Sequence, residues 1–207
     1  MTIGGLRPRP APLALTMGEP AGIGGELALK AWVEQSAKAV PAFVLLDDPE
    51  RIAALARRIG LDVPVEAVGS AGEAVEVFGR ALPVLPVALD HPAQPGLPDP
   101  SNGAAVLNSI EQAVALVQSG ECAGMVTNPI QKSALYEAGF GYPGHTEYLA
   151  ALAGMDIEPV MMLAGGGLRV VPVTIHLPLR DAIETLSTEM IVQCGRVTAA
   201  GLREDFG

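Results

Sequence analysis

The sequence predicts an α/β fold, a mostly parallel sheet with flanking helices, and three observations carry that expectation. Short apolar runs that suit strands alternate with stretches of helical period along nearly the whole chain, which is the pattern of βα units. Turns rich in glycine and proline separate them. The length, 207 residues with 49% hydrophobic composition, is enough for one sizeable α/β domain or a domain plus part of a second.

Taken in order, residues 12–17 read as a first strand and 23–35 as a helix whose apolar positions recur every three and four residues. A second strand over 42–46 ends at Asp47-Asp48-Pro49, which turns the chain and caps a helix from Glu50 to Ile59. Between Leu61 and Pro100 no period persists, so short strands and loops are expected; residues 91–100 carry too many prolines for anything but an exposed connection. Ser101-Asn102-Gly103 leads into a helix that stops near Gly120. A buried strand follows over 123–127, then a loop and helix over 129–138, and a helix after Gly144-His145-Thr146 to about Ala153. Residues 160–164 and 168–174 suit two strands joined by Gly165-Gly166-Gly167, a hairpin-length connection. Pro178 and Asp181 begin a helix, and 187–202 form the last one. The chain stops without a closing strand, so truncation before the second half is complete is expected.

The formal net charge of −10 makes the surface repel nucleic acid and anionic membranes, and neither is expected as a partner. Apolar runs stay well short of the roughly 18–20 residues a bilayer crossing needs. The first residues do not suit a signal peptide, since Pro10 and Pro12 interrupt their short apolar piece; the expectation is a soluble, cytoplasmic protein. Cys122 and Cys194 lie far apart without CxxC spacing and read as two reduced core thiols.

Four segments are candidates for chemistry. Met17-Gly18-Glu19-Pro20-Ala21-Gly22-Ile23-Gly24-Gly25-Glu26 is a glycine-rich strand-to-helix turn, the kind that lets backbone N–H groups approach an anion; it is neither a Walker loop nor GxGxxG, and Glu19 and Glu26 oppose phosphate. Val126-Thr127-Asn128-Pro129-Ile130-Gln131-Lys132 runs from a strand end into a helix, where open α/β sheets place ligands, and Lys132 is either a point charge for phosphate or carboxylate or a solvated helix residue. In Tyr142-Pro143-Gly144-His145-Thr146-Glu147-Tyr148, Thr146 suits a helix cap, and His145 and Thr146 together suit a polar substrate; a histidine there is also an ordinary structural residue. In Val173-Thr174-Ile175-His176-Leu177-Pro178-Leu179 an apolar strand delivers His176 at its end, either as a satisfied core residue or as a ligand.

Read together, MGEPAGIGGELALK, TNPIQK, GYPGHTEYLA and LRVVPVTIHLPLRDA resemble the opening loop and helix, the middle loop, the substrate segment and the first metal-ligand segment of the 4-hydroxythreonine-4-phosphate dehydrogenase family of vitamin B6 biosynthesis. The resemblance runs from about Ala14 to the end, with no matched motif between Leu61 and Pro100. It implies a fold similar to the isocitrate and isopropylmalate dehydrogenases, with this chain as the N-terminal portion of two α/β domains whose boundary is not placed. It implies a homodimer that completes each active site and a small phosphorylated substrate. It also implies NAD or NADP, whose binding elements lie mostly beyond residue 207, and a divalent metal such as Zn, Mg or Co. His145, Thr146 and Lys132 would contact substrate, and His176 would be one of three histidine metal ligands, the others following Gly207. Gly25 stands where the family usually has proline, and Gln131 where histidine is common. Two alternatives stand beside this reading: a dehydrogenase of a phosphorylated four-carbon sugar acid such as phosphoerythronate or phosphothreonate, and a non-catalytic binding or dimerisation module.

Overall fold

A computed structural model of the chain describes residues 10–142, 144–154 and 159–206. It divides into two compact units, Met1–Ala153 and Gly154–Gly207.

The first unit holds β1 (Leu13–Thr16), α1 (Gly24–Val33), α2 (Gln35–Lys38), β2 (Phe43–Asp47), α3 (Pro49–Arg58), β3 (Val65–Ala67) and α4 (Ala71–Val77). It continues with β4 (Leu82–Pro86), a 3-10 turn over Pro100–Asn102, α5 (Gly103–Gln118), β5 (Gly124–Val126), α6 (Lys132–Glu137) and α7 (His145–Leu152). The five strands form one parallel sheet in the order β3-β4-β2-β1-β5, with Leu13 opposite both Phe43 and Gly124. Strand periodicity sends successive side chains to opposite faces. Ala14, Val44 and Leu46 meet α4 and α5 on one face, while Leu15, Phe43 and Leu45 meet Ala28 and Leu29 of α1 and Ile52 and Ala56 of α3 on the other. The result is the three-layer arrangement expected of βα units.

Two expectations need correction in this unit, and a third, the exposed connection over residues 91–100, holds. Residues 61–100 contain a helix, α4, as well as strands. Ser70 accepts the Glu73 N–H and the Glu73 carboxylate accepts the Gly69 N–H, a local capping that Gly72 and the Val-rich composition obscured. The strand expected over 123–127 is shorter and only partly buried, with Val126 47% exposed, because β5 lies at the sheet edge. The proline-rich connection is exposed but anchored. The buried Asn102 side chain accepts the His91 N–H and donates to the His91 carbonyl, and the Gly96 N–H donates to the Ala21 carbonyl. Cys122 is a buried thiol as expected.

The second unit holds β6 (Leu163–Gly165), β7 (Leu168–Val170), α8 (Leu179–Thr185) and α9 (Thr188–Asp205). β6 and β7 pair antiparallel across Gly166-Gly167, both at positive φ, as a two-residue hairpin turn requires. β7 ends at Val170 rather than reaching Thr174, since Pro172 has no N–H to continue a ladder. The residues 155–158, just before the strand expected over 160–164, lie outside the described ones. Ser187 caps α9 by accepting the Met190 N–H, and the Arg169 guanidinium sits 4.4 Å over the Phe206 ring. Cys194 is only partly buried, so the expectation of a second core thiol fails: it lies on a helix whose side chains are mostly exposed.

Two local features test this packing. A Cβ at Gly24 would lie 2.6 Å from the Met17 carbonyl and 3.0 Å from Asn128, whereas one at Gly25 would meet mainly the movable tip of Leu55. Gly24→Ala should therefore cost about 3 kcal/mol in urea unfolding, while Gly25→Ala, with about 1 kcal/mol of helix propensity in its favour, should stay within about 1 kcal/mol of the parent. Asp47 has no exposed surface and forms a bidentate pair with Arg51, whose Nη1 also donates to the Pro20 carbonyl at 2.9 Å. Burial raises the Asp47 pKa, with Arg51 opposing. Arg51→Met strands that carboxyl, and the loss should be about 3–5 kcal/mol at pH 8. The variant should lose less at pH 4.5: its folded-state pKa lies above the unfolded one, so proton uptake favours its folded form as pH falls.

Candidate active site

The C-terminal edge of the sheet is where open α/β folds bind ligands, and here two of the four sequence segments meet. β1 leads into the glycine-rich loop and α1; β5 leads into Thr127-Asn128-Pro129 and α6. Asn128, 4% exposed, joins them: its Nδ2 donates to the Thr16 carbonyl at 2.8 Å and the Gly24 carbonyl at 3.4 Å, and its N–H donates to the Thr16 hydroxyl. The Glu19 N–H donates to the Pro129 carbonyl at 2.8 Å. Gly18 has φ +69°, and a Cβ there would lie 2.7 Å from both Asn128 and the Pro129 oxygen, so only glycine fits. Sequence reasoning quoted Asn128 inside a motif but assigned it no task; an amide directly after an apolar strand was the available signal.

The loop is held on its other sides too. The Glu19 carboxylate accepts the Ala21 N–H, and its pKa is raised by burial against that bond. The Pro20 and Ala21 carbonyls accept from Arg51 and Gly96. Beside the loop lies a cavity of about 420 Å³ whose rim carries Glu26, Asp48 and Glu50 together with Arg51, Arg58 and His91. Three carboxylates face two guanidinium groups there, and the cavity shares no lining residue with the group around His145.

Lys132 and His145 are brought together. They open α6 and α7, and a Cβ at Gly144 would lie 3.5 Å from the Lys132 Nζ and 3.4 Å from a Glu147 carboxylate oxygen. His145 Nε2 is buried without a hydrogen-bond partner, and burial first, then the Lys132 charge, lowers its pKa below the ordinary 6.5. Its imidazole is therefore neutral at pH 7. Thr146 is not the cap that its sequence position suggested. Gly144 occupies the N-cap with no side-chain bond, and Thr146 is the second helical residue, exposed. The first N–H groups of α7 thus lack a side-chain acceptor.

His176 belongs to the second unit. It is exposed, and its φ of +58° is one of only two positive values among described non-glycine residues. A left-handed backbone at a non-glycine residue is uncommon, and such positions cluster at functional sites. Among the described residues no three His, Cys, Asp or Glu side chains gather as a metal cage. His176 supplies one donor where a catalytic site needs about three, so the donor set described here does not by itself fit a metal ion.

Comparisons with known proteins bear on the family and the fold. The family model for the pyridoxal phosphate biosynthetic protein PdxA matches residues 39–207. Curated 4-hydroxythreonine-4-phosphate dehydrogenases from Methylorubrum populi and Bradyrhizobium diazoefficiens are 50% and 47% identical, each over 95% of this chain. The chain spans 58% and 60% of their lengths. The crystal structure of the Klebsiella pneumoniae 4-hydroxythreonine-4-phosphate dehydrogenase superimposes with a TM-score of 0.83 at 29% identity, over 93% of this chain and 59% of that one. A terephthalate 1,2-cis-dihydrodiol dehydrogenase from Burkholderia xenovorans follows at TM-score 0.62 and 28% identity, over 93% and 57%. The architecture is the isocitrate/isopropylmalate dehydrogenase-like one that the sequence resemblance implied, and the chain belongs to the PdxA family.

Proposed function

We propose that the protein oxidises the secondary alcohol of 4-phosphohydroxy-L-threonine in pyridoxal phosphate biosynthesis. NAD or NADP would accept the hydride, a divalent metal would be required, and the resulting β-keto acid would lose carbon dioxide. The observation that carries this reading is the unpartnered, buried Nε2 of His145 beside Lys132, in a chain of the PdxA family. A buried polar atom without a partner costs about 1–3 kcal/mol, a cost that a substrate hydroxyl or amine bound at Nε2 removes.

The roles follow from the charges. Neutral His145 hydrogen-bonds the substrate's polar carbon skeleton and orients it. Lys132 and the open N–H groups of α7 favour an anionic phosphate or carboxylate nearby, and the Thr146 hydroxyl adds a donor on the same turn. His176 supplies one metal ligand, its strained backbone being the supporting observation. In this reading the chain is the N-terminal portion of a two-domain cytoplasmic enzyme that works as a homodimer. Exposed Leu163, Leu168, Leu179 and Ile183 of the second unit support an apolar association surface.

Two measurements test the reading. The natural gene product, given NAD or NADP and a divalent metal, should turn over 4-phosphohydroxy-L-threonine, and His145→Ala should lower kcat/KM by about 100-fold. Turnover of phosphoerythronate or phosphothreonate alone would overturn the substrate assignment, and no turnover of any would favour a non-catalytic module. A second test is the NMR titration of His145. Its folded-state pKa is depressed, so the ring should stay neutral as pH falls through 6.5 and protonate only below that. Removing the neighbouring charge with Lys132→Met should move the midpoint upward.

A further inference from the structure

α7 is a short helix with little to fix it. Its eight residues bury a single side chain, Tyr148, which is 6% exposed. Tyr148 lies three residues beyond His145, on the neighbouring turn of the same face. Its hydroxyl donates to Glu111 Oε1 of α5 at 2.6 Å. Its ring meets Phe140 edge-on at 5.1 Å and Tyr142 at 5.0 Å, and Phe140 is itself buried just past α6, the helix that Lys132 opens. The seat of Tyr148 thus ties together α5, the end of α6 and α7.

We propose that Tyr148, through its hydroxyl bond to Glu111, is a positioning residue that sets the place of the His145 imidazole; the proposal rests on the reading of His145 as a substrate contact. A helix this short does not hold its own geometry in water, so the orientation of its first residue depends on what anchors its body. The aromatic contacts resist tilting but leave a ring free to slide across its neighbours. A hydrogen bond from a phenol to a carboxylate is short and directional, and it fixes the remaining freedom. Burial first, then the Glu111 bond, raises the Tyr148 pKa, so the phenol stays a donor across the working pH range. Glu111 is an exposed residue, and its carboxylate returns to water if the bond is removed. The aromatic contacts of Tyr148 remain in that case, so the contribution of the bond is chiefly geometric.

The test uses Tyr148→Phe, which keeps the ring, and Glu111→Ala and Glu111→Gln, which remove or keep the carbonyl acceptor. Lys132 is the charged group that acts on His145, Glu147 lies near Gly144 beside it, and neither is altered. In Tyr148→Phe and Glu111→Ala, NMR should show the His145 titration midpoint shifted upward as the ring gains water, with little change in the thermal unfolding midpoint. In the natural gene product both variants should lose about tenfold in kcat/KM for 4-phosphohydroxy-L-threonine. Glu111→Gln should recover most of both readouts, and the double variant Tyr148→Phe with Glu111→Ala should match either single one, as coupled partners do. An unmoved His145 midpoint in both single variants would overturn the proposal. A moved midpoint with unchanged kcat/KM would support the positioning of His145 and overturn its role as a substrate contact.

Discussion

The buried amide of Asn128 is the interaction on which the rest of the site depends. A parallel ladder ends where its strands diverge, and at that point backbone groups of β1 lose their partners inside the protein, where an unmet N–H or carbonyl costs about 1–3 kcal/mol. Asn128 meets the Thr16 carbonyl and hydroxyl with its own side chain and N–H. Ser109 of α5 does the same one step further along: its hydroxyl accepts the Met17 N–H and donates to the Leu46 carbonyl, both at 2.9 Å. Two small polar side chains, both buried, thereby close the sheet edge and allow the loops that leave it to run close together. Gly18 and Gly24 are the counterpart of that closeness, since any side chain at either would occupy the space of Asn128 or of the backbone beside it.

From this closure follows the character of the glycine-rich loop. Its carbonyls at Glu19, Pro20 and Ala21 are all taken, by Gly22, Arg51 and Gly96. Its N–H groups at Glu19, Ala21 and Gly22 are taken as well, by the Pro129 carbonyl and by the Glu19 carboxylate and carbonyl, so this part of the loop is closed on itself rather than open to an anion. Glu19 itself is turned back onto the Ala21 N–H and, with its pKa raised by burial, opposes an incoming negative charge less than the sequence suggested. Electrostatics work in the same sense at α7. Burial first, and then the Lys132 charge, lowers the His145 pKa and so favours the neutral imidazole.

How much of this was legible in the sequence depends on the range of the interaction concerned. Strands β1 and β2 and helices α3 and α5 were readable because their periodicity and caps are local: Asp48 accepts the Glu50 and Arg51 N–H groups just as the Asp-Pro spacing implied. Helix α4 was missed although its cap is equally local, because Gly72 and the β-branched residues around it masked the period. The exposure of β5 follows from strand order, which no single segment encodes. Of the site, Lys132 and His145 were identified by type and position, but their proximity is tertiary, and Tyr148 was quoted in its segment without a task because its bond to Glu111 joins two distant helices. Thr146 was misplaced by two residues: a Gly-His-Thr run offers two plausible caps, and the backbone chose the residue without a side chain.

His176 differs from the candidate residues of the first unit in how its position is fixed. In the first unit the loops of the candidate site are held by buried bonds, and the backbone there reaches positive φ at glycines and at Ala39 alone among described non-glycine residues. At His176 the chain instead accepts a left-handed conformation costing about 1–2 kcal/mol in an exposed stretch, where no buried neighbour offsets it. Pro178, two residues on, narrows the conformations open to Leu177 and so reduces the freedom of the segment that carries the imidazole. Strain of this kind at an exposed residue points to a role outside local packing, since the packing around it does not impose the conformation.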